Sequence, residues 1–204
     1  MNVLMINGSP NQNGNTAIAL NEMKKIFDEA EIETEIVTVG NKDIRGCTGC
    51  GRCFIIGKCV FDDLVNETVP KFEKADGLVI ASPVYFGSAN GTLISFLDRL
   101  YYSKHFDITT KVGASVAVTR RGVTTSTYDE LNKYFAMGMA IAQGQYWNGV
   151  HGAAPGEASY DAEGMQQMRT LARNMVFLMK VIADGKEKYG LPKKERLTLT
   201  NFIR

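Results

Sequence analysis

Five short apolar runs, alternating with stretches of helical periodicity, constrain this chain more than any other feature. The runs are "NVLMIN" (2–7), "IETEIVTV" (32–39), "GLVIASPVY" (77–85), "KVGASVAVT" (111–119) and "GMAIAQGQYWN" (138–148). Between the first two, Ile18, Leu20, Met23, Ile26 and Phe27 recur about one helical turn apart, which predicts an amphipathic helix over 16–30. Helices are also predicted over 64–75, 91–103, 128–137 and in a long segment within 162–190, although Pro70 argues against a regular helix in 64–75. Strands alternating with helices imply an α/β domain with a parallel sheet covered on both faces. For five strands the usual doubly wound order is 2-1-3-4-5. No repeat, linker or low-complexity tract divides the 204 residues, so a single domain is expected over 1–204, carrying a cysteine-rich loop at 44–63.

Ligands of such sheets bind at the carboxyl ends of the strands, beside the switch point. The loops there are 8–16, 82–90 and 119–127, all rich in Gly, Ser, Thr and Asn. The first, "NGSPNQNGNT", joins the first strand to the first helix, where backbone N–H groups and the helix dipole favour an anion. Ser9, Asn15 and Thr16 add short donors, and Gly8 and Gly14 permit close backbone approach. No Gly-Lys-Ser/Thr ends the loop, its glycines are wrongly spaced for a dinucleotide fingerprint, and no acid ends the second strand. A loop without Lys or Arg suits a monophosphate held by neutral donors, which points to FMN; the plain alternative is a turn with an Asn/Thr helix cap.

The second loop offers Tyr85 and Phe86, and the third places Arg120 and Arg121 beside Gly122. Loop amides and an arginine suit an isoalloxazine ring, which needs a flat slot and donors near its N1–O2 edge; ordinary turns with solvated arginines are the other reading.

In this order and spacing, "GSPNQNGNT", "SPVYFGSANGTLISFLDR" and "TRRG" resemble the flavodoxin-like NADPH-dependent FMN reductase superfamily, and with the cysteine run the chain is similar to its iron-sulfur flavoprotein branch. The segment "YWNGVHGAAPGEASYDAEGMQQMRTLARNM" extends the likeness over nearly the whole chain. The resemblance implies a flavodoxin-like fold and bound FMN. By it, Ser9, Asn11, Gly14, Asn15 and Thr16 would hold the phosphate, and Pro83, Val84, Tyr85, Phe86, Gly87 and Ser88 the flavin ring. Thr119, Arg120, Arg121 and Gly122 match the third flavin loop less tightly. Asn11 stands where relatives often carry a basic residue, a departure that weakens the expected grip on phosphate.

All four cysteines, Cys47, Cys50, Cys53 and Cys59, lie in "CTGCGRCFIIGKC". Four thiolates are the usual ligand set of a [4Fe–4S] cluster. The last gap is longer than in bacterial ferredoxins and no proline follows, and the resemblance accounts for both, since iron-sulfur flavoproteins carry a compact motif of this kind. Zinc, a thiol–disulfide pair and merely structural free thiols remain alternatives. Arg45, Arg52 and Lys58 would offset a cluster's charge or lower a thiol's pKa.

Net charge is +1 with no basic run beyond pairs such as Lys193-Lys194, which excludes a phosphate-backbone reader, and no apolar stretch approaches a membrane span. Met1 leads straight into a strand with no charged leader, so a cytoplasmic location is expected. His105 and His151 are far apart in sequence, no acid/base constellation stands out, and no catalytic side chain is assigned. Asp62-Asp63 reads as a helix cap. An FMN-dependent oxidoreductase is the expected function, with NAD(P)H or a ferredoxin-type protein as donor and a small molecule as acceptor; a flavin-binding electron carrier or redox sensor is the alternative. The resemblance also implies a homodimer or homotetramer, for which the Met-rich final helix and Tyr101-Tyr102 are candidate contact surfaces, the methionines otherwise being core.

Overall fold

A computed structural model describes residues 1–196 together with 198 and 200. The central strands are β1 (Asn2–Asn7), β3 (Gly77–Pro83) and β4 (Val112–Thr119), with β2 (Glu33–Thr38) at one edge and β5 (Ala140–Ile141) and β6 (Gly149–His151) at the other. The order is β2-β1-β3-β4-β5, with β6 also paired to β4, and every pairing is parallel. β3 and β4 are continuous apolar runs because both of their faces are covered. β2 instead exposes Glu33 and Glu35, charges that discourage pairing at an open edge.

The period of two along each strand divides the core. Val3, Met5, Val79 and Val116 pack on one side with α1 (Asn15–Glu29) and α6 (Ala162–Tyr189). The single-turn α2 (Cys53–Ile56) buries none of its residues, whereas Leu4, Ile6, Leu78 and Ile80 pack on the other side with α3 (Leu64–Lys74), α4 (Gly91–Ser103) and α5 (Thr124–Phe135). Met165, Met168, Met175 and Met179 of α6 are buried against α1 and the sheet, so the methionine face is core rather than a contact surface. Tyr101 is packed on Phe72 and Tyr134, and only Tyr102 of that pair is exposed. Among the described residues no helix is long and apolar enough to cross a membrane.

Three elements differ from expectation. α3 runs through Pro70, which lies on the exposed face and removes one hydrogen bond without disturbing the buried Val65, Thr68 and Phe72. α5 begins at Thr124, so the third loop is shorter than expected. The fifth strand is broken: β5 pairs with Val112 and Gly113, β6 pairs with Ala117 to Thr119, and residues 142–148 leave the sheet between them. Gln167 of α6 replaces the missing ladder there, its Oε1 accepting from the amides of Gln145 (3.1 Å) and Tyr146 (3.2 Å) while its Nε2 donates to the Tyr146 carbonyl.

Candidate functional site

Because all strands run the same way, every strand-to-helix loop emerges at one edge of the sheet, and the order reverses between β1 and β3. The first loop turns there into α1, whose cap is Gly14 with no side-chain hydrogen bond, so no Asn or Thr caps this helix. The amides of Asn15 and Thr16 have no acceptor among the described residues, as first-turn N–H groups lack one inside a helix. Ser9 Oγ accepts from the Asn11 amide (3.2 Å), and Gly14 N–H donates to the Asn11 carbonyl (3.1 Å), which gathers Ser9, Asn11 and Gly14 in one turn, with Thr16 following in the first turn of α1. The Asn15 carboxamide points elsewhere, donating to Ala154 O (3.0 Å) and accepting from Ala158 N (3.2 Å). Gly40, just after β2, supports the loop from behind: a Cβ there would lie 2.2 Å from Gly8 O.

The second loop closes in a two-residue turn. Tyr85 and Ser88 exchange backbone hydrogen bonds of 2.8 and 3.0 Å, and Phe86 (φ 51°) and Gly87 (φ 80°) both adopt left-handed geometry. Glycine does this freely, whereas for Phe86 it is strained, and the Phe86 side chain is fully exposed. The amides of Phe86 and Gly87 have no acceptor among the described residues. α5 anchors the loop: Glu130 Oε2 accepts from the Ala89 amide (2.7 Å), and Ser126 Oγ donates to Gly87 O (2.5 Å).

In the third loop Thr119 Oγ1 donates to Gly122 O (2.9 Å), leaving Arg120 and Arg121 exposed. Val84, Phe86 and Gly87 from the second loop face Thr119, Arg120 and Arg121 from the third across an open groove of about 610 Å³. In the segment that Asn15 holds, Glu157 Oε2 accepts from the amides of Ala154 (2.8 Å) and Ala153 (2.7 Å), bonds that hold its carboxyl below the usual range.

The cysteine loop leaves the same edge after β2 and lies over α4. Cys47, Cys50, Cys53 and Cys59 all line one cavity of about 330 Å³, together with Arg99 and Tyr102 of α4. All four are free thiols. Among the described residues no three His, Cys, Asp or Glu side chains are gathered tightly enough to hold a metal ion as they stand. Gly49, Gly51 and Gly57 take positive φ with open space around them, which lets the chain wrap the cavity. The amide of Arg52, then the Thr48 hydroxyl, lowers the Cys50 pKa.

Arg45, Arg52 and Lys58 are exposed, and the cation that meets the thiols is Arg99, whose side chain is 1% exposed. Its Nε and one terminal nitrogen donate to Cys59 Sγ at 3.3 and 3.2 Å. The two terminal nitrogens also fork onto Asp63 at 2.7 and 3.0 Å. Burial opposes the charge on Arg99, but Asp63 and Cys59 together raise its pKa. Asp63 caps α3 through Val65 N, as its sequence position predicts.

The model of the family described as NADPH-dependent FMN reductase matches residues 1–154, a span containing the three loops and the cysteine segment. The chain belongs to the NADPH-dependent FMN reductase family. It is similar to an iron-sulfur flavoprotein of Methanocaldococcus jannaschii, 33% identical over 191 residues that cover 89% of this chain and 99% of the relative. It is also similar to an iron-sulfur flavoprotein of Methanosarcina thermophila, 28% identical over 194 residues covering 92% and 100%. RosB, solved with an 8-demethyl-8-formylriboflavin-5′-phosphate intermediate, shares the fold with a TM-score of 0.72 at 15% identity, over 100% of this chain and 94% of that one. A flavodoxin from the domain Archaea has a TM-score of 0.59 at 11% identity, over 88% and 99%. The fold is flavodoxin-like.

Four residues that position this family member's loops escaped the loop-by-loop reading: Gly40, Asn66, Arg99 and Glu130. Asn66 brackets Cys59, accepting from its amide (2.9 Å) and donating to its carbonyl (3.0 Å). Arg99 did leave a signal, as the only cation within the largely apolar "LISFLDRLYY".

Proposed function

We propose that this chain is an FMN-dependent oxidoreductase that passes electrons through its flavin to a small acceptor or redox partner, with an iron-sulfur cluster in the cysteine cavity. One observation carries the reading. An uncapped, uncharged helix start with unused amides shares a sheet edge with an open groove walled by the second and third loops. That pairing suits a ligand with a monophosphate at one end and a flat ring at the other.

In this reading Ser9, Asn11, Gly14, Asn15 and Thr16 hold the phosphate, Asn15 through its main-chain N–H because its carboxamide is engaged. Pro83, Val84, Tyr85, Phe86, Gly87 and Ser88 border one side of the ring, and Thr119, Arg120, Arg121 and Gly122 the other. The unused amides of Phe86 and Gly87 and the arginine charges favour negative charge at the ring edge. Bound FMN supplies the electron-transfer chemistry, so the chain itself needs no acid or base.

The donor set fits a four-iron cluster better than zinc. Each thiolate of such a cluster binds a different iron, so four sulfurs must line a shared cavity, whereas zinc draws all four to one ion. Here four thiols line one cavity without converging on a point. The two named relatives are iron-sulfur flavoproteins. A cluster in turn favours a ferredoxin-type donor over NAD(P)H.

Anaerobic isolation, an absorption spectrum and iron and sulfide analysis test the proposal, followed by reduction with NADH, NADPH and a reduced ferredoxin. Bound flavin with about four irons per chain supports it. Flavin without iron after anaerobic reconstitution removes the cluster, and a colourless chain that refuses FMN removes the whole reading. Stably bound flavin with negligible turnover favours an electron carrier instead.

A further inference from the structure

Arg99 is a fully buried guanidinium whose environment is only half explained by its ion pair. A structural arginine would spend its donors on carboxylates and carbonyls. Here Asp63 takes two, and the carbonyls of Arg45 (3.4 Å) and Phe61 (3.3 Å) receive longer contacts, yet two nitrogens aim at the sulfur of Cys59. Four positions of the cysteine segment, 45, 59, 61 and 63, are thereby tied to one side chain. Phe61 meets two cations, with the guanidinium of Arg99 5.0 Å and that of Arg45 4.7 Å from its ring centroid. Arg99 also belongs to the helix that starts at the end of the second loop, where Asn90 caps α4 by accepting from Leu93 N. Nine residues of helix separate the two, about 13 Å.

We propose that Arg99 is a positioning residue for the fourth cysteine, fixing the Cys59 sulfur in place and raising the reduction potential of the cluster bound there, with Asp63 opposing it. This rests on the reading that the four cysteines carry an iron-sulfur cluster. N–H donors on a ligand sulfur and fixed positive charge nearby both favour the reduced, more negative cluster, and the carboxylate of Asp63 works against it. Lysine offers a point charge without the fork, so it cannot reach Asp63 and the sulfur in the same geometry.

The test is a spectroscopically monitored redox titration of anaerobically reconstituted wild-type, Arg99→Lys and Asp63→Asn proteins, with iron content measured for each. Arg99→Lys should lower the cluster potential and Asp63→Asn should raise it, each by roughly tenfold in the reduction equilibrium, about 59 mV for one electron. Opposite shifts at full iron occupancy support the proposal, because a purely structural role predicts loss of iron or stability without opposed potentials. Unchanged potentials, or shifts of the same sign, overturn it. If either single variant loses its cluster, the double variant Arg99→Met/Asp63→Asn, which leaves no unpaired buried charge, carries the measurement. A potential below wild type then supports the role of the sulfur-directed donors, and a wild-type potential overturns it. Wild-type protein that takes up no iron refutes the cluster reading itself, and the tuning role falls with it.

Discussion

Glu130 holds the second loop from outside it, and its removal should be felt in ligand binding more than in the fold. Its carboxylate accepts from the Ala89 amide at 2.7 Å, and Ala89 is buried at 6% exposure, so no solvent replaces the lost acceptor. A charge-assisted hydrogen bond of this kind contributes about 1.5–3 kcal/mol. For a chain of this size that corresponds to a fall in Tm of about 3–12 °C in Glu130→Ala. The loop carries the two unused amides and the strained Phe86, so FMN must then reorder it, and each 1.4 kcal/mol of reordering weakens binding about tenfold. Glu130→Gln keeps an acceptor oxygen and loses only the charge, so its effect should be less than half as large. Thermal melts of flavin-free protein and fluorescence titration with FMN measure both quantities. Glu130→Ala protein that melts and binds FMN as wild type does would refute the claim that α5 preorganises this loop.

Asn11 is exposed, and its Cβ lies 3.0 Å from where a Gly14 Cβ would be, so a side chain here borders the start of α1. Asn11→Lys should therefore tighten FMN by about 1 kcal/mol, roughly fivefold, with the gain shrinking at high salt in titrations at two ionic strengths. Phe72, fully buried on the inner face of α3, should cost about 3–5 kcal/mol on replacement by alanine, read from urea unfolding midpoints. The Glu157 carboxyl is held below its ordinary pKa of 4.5 by the amides it accepts from, so its stabilising contribution is present above that value and is lost as pH falls through the depressed one. Melts across pH 3 to 6 should show this acid loss diminished in Glu157→Gln.

The central strands were legible because burial on both faces writes them as unbroken apolar runs, and β1, β3 and β4 appear where those runs are. The broken fifth strand was not legible. "GMAIAQGQYWN" is apolar enough at its ends to read as one strand, and what lifts its middle out of the sheet is Gln167, far along the chain on α6. Thr124 to Thr127 read as loop by composition, yet the turn they form lets Ser126 and Glu130 face the second loop one helical turn apart. Pro70 overstated its own effect because propensity knows nothing of which face is buried. The loops that face the groove and the cysteines that line the cavity were visible as motifs. The residues that hold those loops in shape, Glu130, Asn66 and Arg99, sit in helices where a polar side chain ordinarily reads as solvated surface.

Flavin capture by this chain depends on the start of α1 gripping a phosphate, and a calorimetric comparison of FMN with riboflavin, on flavin-free protein, tests that most directly. The two ligands share the ring and differ only in the terminal phosphate. FMN should bind at least a hundredfold more tightly, about 2.7 kcal/mol, with the preference falling as inorganic phosphate is added. Equal affinity for the two, or no binding of either, would contradict the account.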